Sequence, residues 1–123
     1  MSYDLNFWKY KKDVYLNNQE VYEKFSEEES VNVDGLENLP IEDIIVDVNK
    51  EFADWKIDRD SYENTKGKGI FQIYTTPQYV RFDCYGMQGN DMNRIIDIMD
   101  KYECPLYDPQ VPKRYDGKET PNA

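Results

Sequence analysis

The clearest pattern in the chain is an apolar stripe between residues 41 and 55. Hydrophobic residues recur there at the three- and four-residue spacing of one helical face. Pro40 precedes the stripe and suits the first turn of a helix. The spacing predicts an amphipathic helix that packs on a sheet. The stripe consists of Ile41, Ile44, Ile45, Val48, Phe52 and Trp55.

Two further helices are predicted on either side of this one. Asn17, with Glu20 three residues later, has the spacing of a capping box and predicts a helix start. A second stripe begins near Asn90 and ends before Pro105, which terminates a helix. The apolar positions are Val21 and Phe25 in the first of these helices, and Met92, Ile95, Ile96, Met99 and Tyr102 in the second.

Strands are predicted where polar and apolar residues alternate. Residues 2–8 alternate and predict a half-buried strand. Residues 70–75 and 79–85 are rich in β-formers and joined by a short link, which predicts an antiparallel hairpin. Leu106 and Tyr107 predict a short last strand. Residues 56–69 are polar and predict a loop.

These elements give the order β-α-α-β-β-α-β and an α+β fold. We expect an antiparallel sheet of three to four strands with about three helices on one face. Val80, Phe82 and Cys84 would face the helices, leaving the opposite face partly exposed. One domain is expected over residues 1–116, and residues 117–123 are expected to be a disordered tail. The exposed face would show Tyr79, Arg81, Asp83 and Tyr85.

The charge changes the functional picture, because the net charge is −10 and lies in one third of the chain. Residues 20–60 hold fourteen acidic and four basic side chains. An acidic surface argues against direct binding of nucleic acid or of anionic membranes. The 123 residues contain no histidine, which excludes a Ser-His-Asp triad, a Cys-His dyad and a His-ligated zinc site. We expect no cofactor and no metal.

The cellular compartment is predicted from two sequence features that we do not find, a signal peptide and a membrane-spanning segment. The first residues form no basic region followed by an apolar stretch, and no apolar run is long enough to cross a membrane. Cys84 and Cys104 are then expected to be reduced, buried thiols. These features together predict a cytoplasmic protein.

Catalysis by carboxylates is the weaker functional alternative. Asp58 with Asp60, or Glu42 with Asp43, could serve as acid and base. Close acidic pairs are also expected by chance in so acidic a chain, and nothing in the sequence places them in a pocket. We therefore expect a protein that binds rather than an enzyme.

The central helix carries the sequence's strongest binding signal. Asp43, Asp47 and Asp54 fall on one face, and no basic residue alternates with the first two. Like charges four residues apart cost roughly 0.2–0.5 kcal/mol per pair. A solvated face that confers solubility explains this pattern, and so does a landing surface for a basic partner.

Two segments carry a family resemblance. Residues 2–8 (SYDLNFW) and 104–110 (CPLYDPQ) resemble those of small bacterial immunity proteins of polymorphic toxins, as in contact-dependent growth inhibition systems. The resemblance implies a cytoplasmic, non-catalytic protein that binds the toxin domain delivered by a sibling cell. Such toxins are often nucleases with basic surfaces. The family carries over no functional residue by position.

We therefore expect an immunity protein whose acidic, aromatic-containing face blocks the basic active-site surface of a cognate toxin, a nuclease. The alternative is an acidic nucleic-acid mimic that inhibits a host DNA- or RNA-binding protein. The oligomeric state is left open. The candidate toxin-binding residues are Glu27, Glu28, Glu29, Asp34, Glu37, Asp43, Asp47, Asp54, Asp58, Tyr79 and Tyr85.

Overall fold

The computed structural model describes residues 2–27 and 31–116. Within these ranges the chain forms three helices and seven strands, which together make an α+β fold. The helices are α1 (Asn18–Glu27), α2 (Ile41–Glu51) and α3 (Gly89–Asp100); the strands are β1 (Ser2–Phe7), β2 (Lys56–Asp58), β3 (Ser61–Glu63), β4 (Ile70–Thr76), β5 (Tyr79–Tyr85), β6 (Leu106–Asp108) and β7 (Lys113–Arg114).

The strands form one sheet in the order β2-β3-β4-β5-β1-β6-β7, and every described pairing is antiparallel. The predicted hairpin is confirmed as β4–β5, and the predicted last strand as β6. The expectation of three to four strands was too low. Residues 56–69, predicted to be a loop, contain the β2–β3 hairpin. Strands of three residues are too short for a period of two to stand out.

The predicted helices are confirmed with modest changes at their ends. The side chain of Asn17 accepts a hydrogen bond from the amide of Glu20 at 3.0 Å, which caps α1 as its spacing predicted. Helix α2 ends at Glu51, earlier than the apolar stripe suggested. Phe52 and Trp55 are nevertheless buried, because the turn after α2 folds back onto the sheet.

The two faces of the sheet are both covered, and not by the same helices. On one face, α2 and α3 bury a core that includes Phe82 of β5 and Phe71 of β4. On the other, α1 covers a second core around Trp8, Tyr79 and Tyr107. The prediction that all helices lie on one face was therefore wrong. Large aromatic residues make one end of the second face apolar, so it also requires a cover.

The second face remains open at its other end. In register with Tyr85 lie Ser2 and Ile70 of the neighbouring strands, and Tyr85 is 47% exposed. Arg81 and Asp83 are half-buried, in partial agreement with the predicted exposed face. Tyr79, expected on that exposed face, is fully buried. The tail from residue 117 lies outside the described residues.

Candidate functional site

Helices α2 and α3 form an antiparallel pair that is fastened at two points. Near the end of α2, Arg94 of α3 donates from Nε to Glu51 Oε2 at 2.7 Å and from Nη2 to the Glu51 carbonyl at 2.5 Å. The guanidinium also lies 4.4 Å from the ring centroid of Phe52. Hydrogen bonding and cation–π stacking at one residue fix the spacing of the two helices here.

The second contact between these helices involves Asp47, one of the candidate toxin-binding residues. The hydroxyl of Tyr102 donates to Asp47 Oδ2, and Lys101 Nζ lies 3.1 Å from the same oxygen. These two contacts lower the pKa of Asp47, the hydrogen bond contributing most. Burial and the Asp47 charge raise the pKa of Tyr102 to about 12. Asp47 therefore helps to hold the helices together. Its negative charge is already paired within the chain.

The outward crest of α2 has a different character. We define the α2 crest as Asp43, Val46, Lys50 and, in the turn after the helix, Asp54. All four are exposed, and Val46 is exposed by 48% although it is aliphatic. Within residues 2–27 and 31–116, neither Asp43 nor Asp54 belongs to an ion pair. The crest therefore offers two carboxylates outside these ion pairs, together with one lysine and an apolar contact.

The other candidate acids do not join this crest in one surface. Glu27 ends α1 and is exposed, but α1 covers the opposite face of the sheet from α2. Asp34 is exposed and Glu37 is half-buried in the segment between α1 and α2. Asp58 is exposed on the edge strand β2. The predicted set is thus divided between both sides of the sheet, and Glu28 and Glu29 lie outside the described residues.

The two candidate tyrosines have different environments. Tyr79 stacks on Phe25 of α1 at a centroid distance of 4.4 Å and donates to Asn6 Oδ1. Burial is the main cause that raises its pKa. Tyr79 is therefore part of the second core and cannot contact a partner without unfolding. Tyr85 is 47% exposed and is therefore accessible to a partner.

Sequence reasoning missed a pair of carboxylates on the open end of the second face. Asp4 of β1 and Asp83 of β5 are partners in the register, and both are half-buried. Arg81 donates to both oxygens of Asp83, at 2.8 and 3.2 Å. Burial first, and then the neighbouring Asp83, raise the pKa of Asp4. The alternation in β5 placed Asp83 on this face, but only the register brings Asp4 to it.

The charged groups do not assemble a metal site in the described ranges. No group of three or more Cys, Asp or Glu side chains there could hold a metal ion. Cys84 and Cys104 are both free thiols and buried. No helix of the described residues is long and apolar enough to cross a membrane.

The geometry therefore leaves the α2 crest as the candidate functional site, since it combines exposed charge with an exposed aliphatic residue. Comparisons with protein-family models, with curated proteins and with solved structures give no significant match to this chain.

Proposed function

We propose that this protein is a bacterial immunity protein that neutralises a basic toxin domain, a nuclease, by binding it in a stoichiometric complex in the cytoplasm. The observation that carries the proposal is the α2 crest. Asp43 and Asp54 are exposed and outside the ion pairs of the described chain, while Val46 lies between them. Carboxylates steer a basic partner, and an apolar contact slows its departure.

Stability alone does not favour this arrangement. Asp54 follows the carboxyl end of α2, where the helix dipole disfavours a negative charge by roughly 0.3–1 kcal/mol. A lysine there would interact well with the last carbonyl groups. The aliphatic side chain of Val46 gains only part of the free energy of burial within the chain itself, because it is 48% exposed. Both features favour a surface that is used in binding.

The partner's expected chemistry follows from the charge. The chain carries a net charge of −10, so its field attracts a surface rich in lysine and arginine. Nucleases hold phosphates with such surfaces, and a protein that covers them blocks access of the nucleic acid. Binding at the crest would therefore inhibit without chemistry by the immunity protein itself.

The proposal is tested first by capture of the partner. The purified chain is immobilised, incubated with a lysate of the source cells and washed at rising salt. One basic protein that survives high salt and loses its nuclease activity on binding supports the proposal. A mixture of basic proteins that elute together at low salt contradicts it and favours an acidic mimic of nucleic acid.

The second step tests the crest with matched charge reversals. Asp54→Lys should slow association with the captured protein several-fold and weaken its salt dependence, because a steering charge is reversed. Glu23→Lys on α1 is the control, since Glu23 is exposed and lies on the helix that covers the other face. Equal association rates for the two variants would exclude the α2 crest. Val46→Ser should raise the dissociation rate without changing association.

A further inference from the structure

The outer edge of β4 is only partly covered by its neighbouring strand. β3 pairs with Ile70–Gln72, and the amide of Ile73 donates to the carbonyl of Asp60 at 2.9 Å. Beyond this point β4 continues to Thr76, with β5 on its inner side. The chain of β3 has turned away at Arg59–Asp60 and no longer follows the edge.

The uncovered part of this edge presents backbone groups in the orientation of a sheet ladder. Successive residues of an antiparallel strand direct their N–H and C=O groups to alternate sides. Because the amide of Ile73 points outward, the amide and carbonyl of Thr75 point outward as well. Neither group has a backbone partner on that side among the residues the structure describes. An unpaired donor and acceptor at a strand edge are a template for another strand.

Two cavities flank this edge, one for each face of the sheet. The smaller, about 410 Å³, lies on the α2 side and is lined by Ile45, Arg59, Asp60, Tyr62 and Ile73. The larger, about 690 Å³, is lined by Val31, Asn32, Asn38, Thr76, Pro77 and Gln78. Both cavities are also lined by Tyr74 and Thr75, so they meet along the edge strand itself.

We infer that the Ile73–Thr76 edge of β4 accepts an extended segment of a basic partner protein as an added strand. Side chains of a strand alternate between the faces of a sheet. An added strand therefore places one side chain in the smaller cavity and the next in the larger one. Main-chain hydrogen bonds to Thr75 provide affinity, and the two cavities provide specificity.

The residues that line the two cavities indicate which side chains the added strand would carry. Each cavity combines apolar and polar groups: Ile45 and Ile73 lie beside Arg59 and Asp60 in the smaller one, and Val31 and Pro77 lie beside Asn32 and Asn38 in the larger one. Each therefore fits a side chain with an apolar stem and a polar end. The net charge of −10 favours a segment that also carries lysine or arginine. The inference rests on the proposed function only for the identity of the partner, and the edge is separate from the α2 crest.

The test uses a random twelve-residue peptide library displayed on phage and selected against the intact protein, so it needs no toxin. The enriched peptides are synthesised and their Kd values are measured by calorimetry. Thr75→Pro removes the outward amide at a position where an edge strand tolerates proline. Thr65→Pro is the control, since Thr65 is the second residue of a turn closed by the Gly67 amide and the Asn64 carbonyl. Ile45→Trp is a second variant that fills the smaller cavity.

We expect peptides that carry lysine or arginine and whose Kd rises at least tenfold in Thr75→Pro and in Ile45→Trp, and is unchanged in Thr65→Pro. If Thr75→Pro does not fold, the Ile45→Trp result decides. Failure to enrich any peptide, or enriched peptides that bind the variants as tightly as the parent, would overturn the inference. In the Asp54→Lys background, Thr75→Pro should still raise the peptide Kd at least tenfold. The α2 crest and this edge are therefore tested independently, and either proposal can fail without the other.

Discussion

Asp4 and Asp83 lie directly opposite each other on β1 and β5, half-buried on the open end of the second sheet face. Like charges in this position destabilise an antiparallel pair. Arg81 contacts both oxygens of Asp83, and the pKa of Asp4 is raised by burial and by its neighbour. The pair therefore relieves its repulsion by keeping the proton on Asp4 to a higher pH.

This relationship predicts that Asp4→Asn stabilises the protein at neutral pH. A carboxyl whose pKa is raised in the folded state stabilises that state while protonated, and the benefit is lost as the pH rises through that pKa. Asparagine stays neutral, so we expect a gain of about 0.2–1 kcal/mol at pH 7. Urea denaturation at pH 7 and at pH 3.5 measures it. An equal gain at both pH values would contradict the assignment to charge repulsion.

The burial of Tyr79 gives a second prediction. Tyr79→Phe leaves the side-chain oxygen of Asn6 without its donor inside the second core, where Asn6 is fully buried. An unpaired buried acceptor costs roughly 1–3 kcal/mol, so the urea midpoint should fall by a corresponding amount. Tyr85→Phe is the matched control, because Tyr85 is 47% exposed, and it should change stability by less than about 0.5 kcal/mol. Equal effects of the two substitutions would show that Tyr79 is not a core residue.

The contact between α2 and α3 predicts a pH effect of the opposite sign. The pKa of Asp47 is lowered, chiefly by the hydrogen bond from Tyr102. A lowered carboxyl pKa stabilises the fold above the unfolded value, and this is lost as the pH falls through the folded value. Tyr102→Phe should therefore raise the pKa of Asp47 in an NMR titration and reduce stability at pH 7. An unchanged Asp47 titration would rule out this hydrogen bond in solution.

The two cysteines should be unreactive in the folded protein. Cys84 and Cys104 are buried, and burial raises the pKa of each thiol to about 12. The thiolate is the reactive form, so little of it exists at pH 8. An aromatic disulfide reagent should modify both thiols within minutes in denaturant and neither on that timescale without it. Rapid modification of one thiol in the native protein would indicate local opening near that residue.

Local patterns predicted the main helices and the central hairpin well. The stripe from Ile41 is a helix, the side chain of Asn17 caps α1, and Val80, Phe82 and Cys84 face the core. Each of these features depends on residues a few positions apart, and such residues are read directly from the sequence. The acid-rich region was equally evident, but its distribution over the surface was not.

Local sequence patterns did not predict which acidic residues of the candidate site are exposed. Asp43 and Asp47 lie four residues apart with similar chemistry, yet Asp43 is exposed and Asp47 accepts a hydrogen bond from Tyr102. That difference depends on Tyr102, which follows α3 and lies 55 residues further along the chain.

By itself, the sequence determined which segments become the main helices and the central strands, because side-chain periodicity and capping are local properties. It also determined the large negative charge. Only the tertiary structure decided that α1 covers the opposite face from α2 and α3, that Tyr79 is buried, that Asp4 meets Asp83, and that β4 outruns β3 to leave an open edge. Strand register and helix placement depend on contacts between segments that are distant in the sequence. A helix packs on a sheet face only when the side chains that the paired strands bring together make that face apolar.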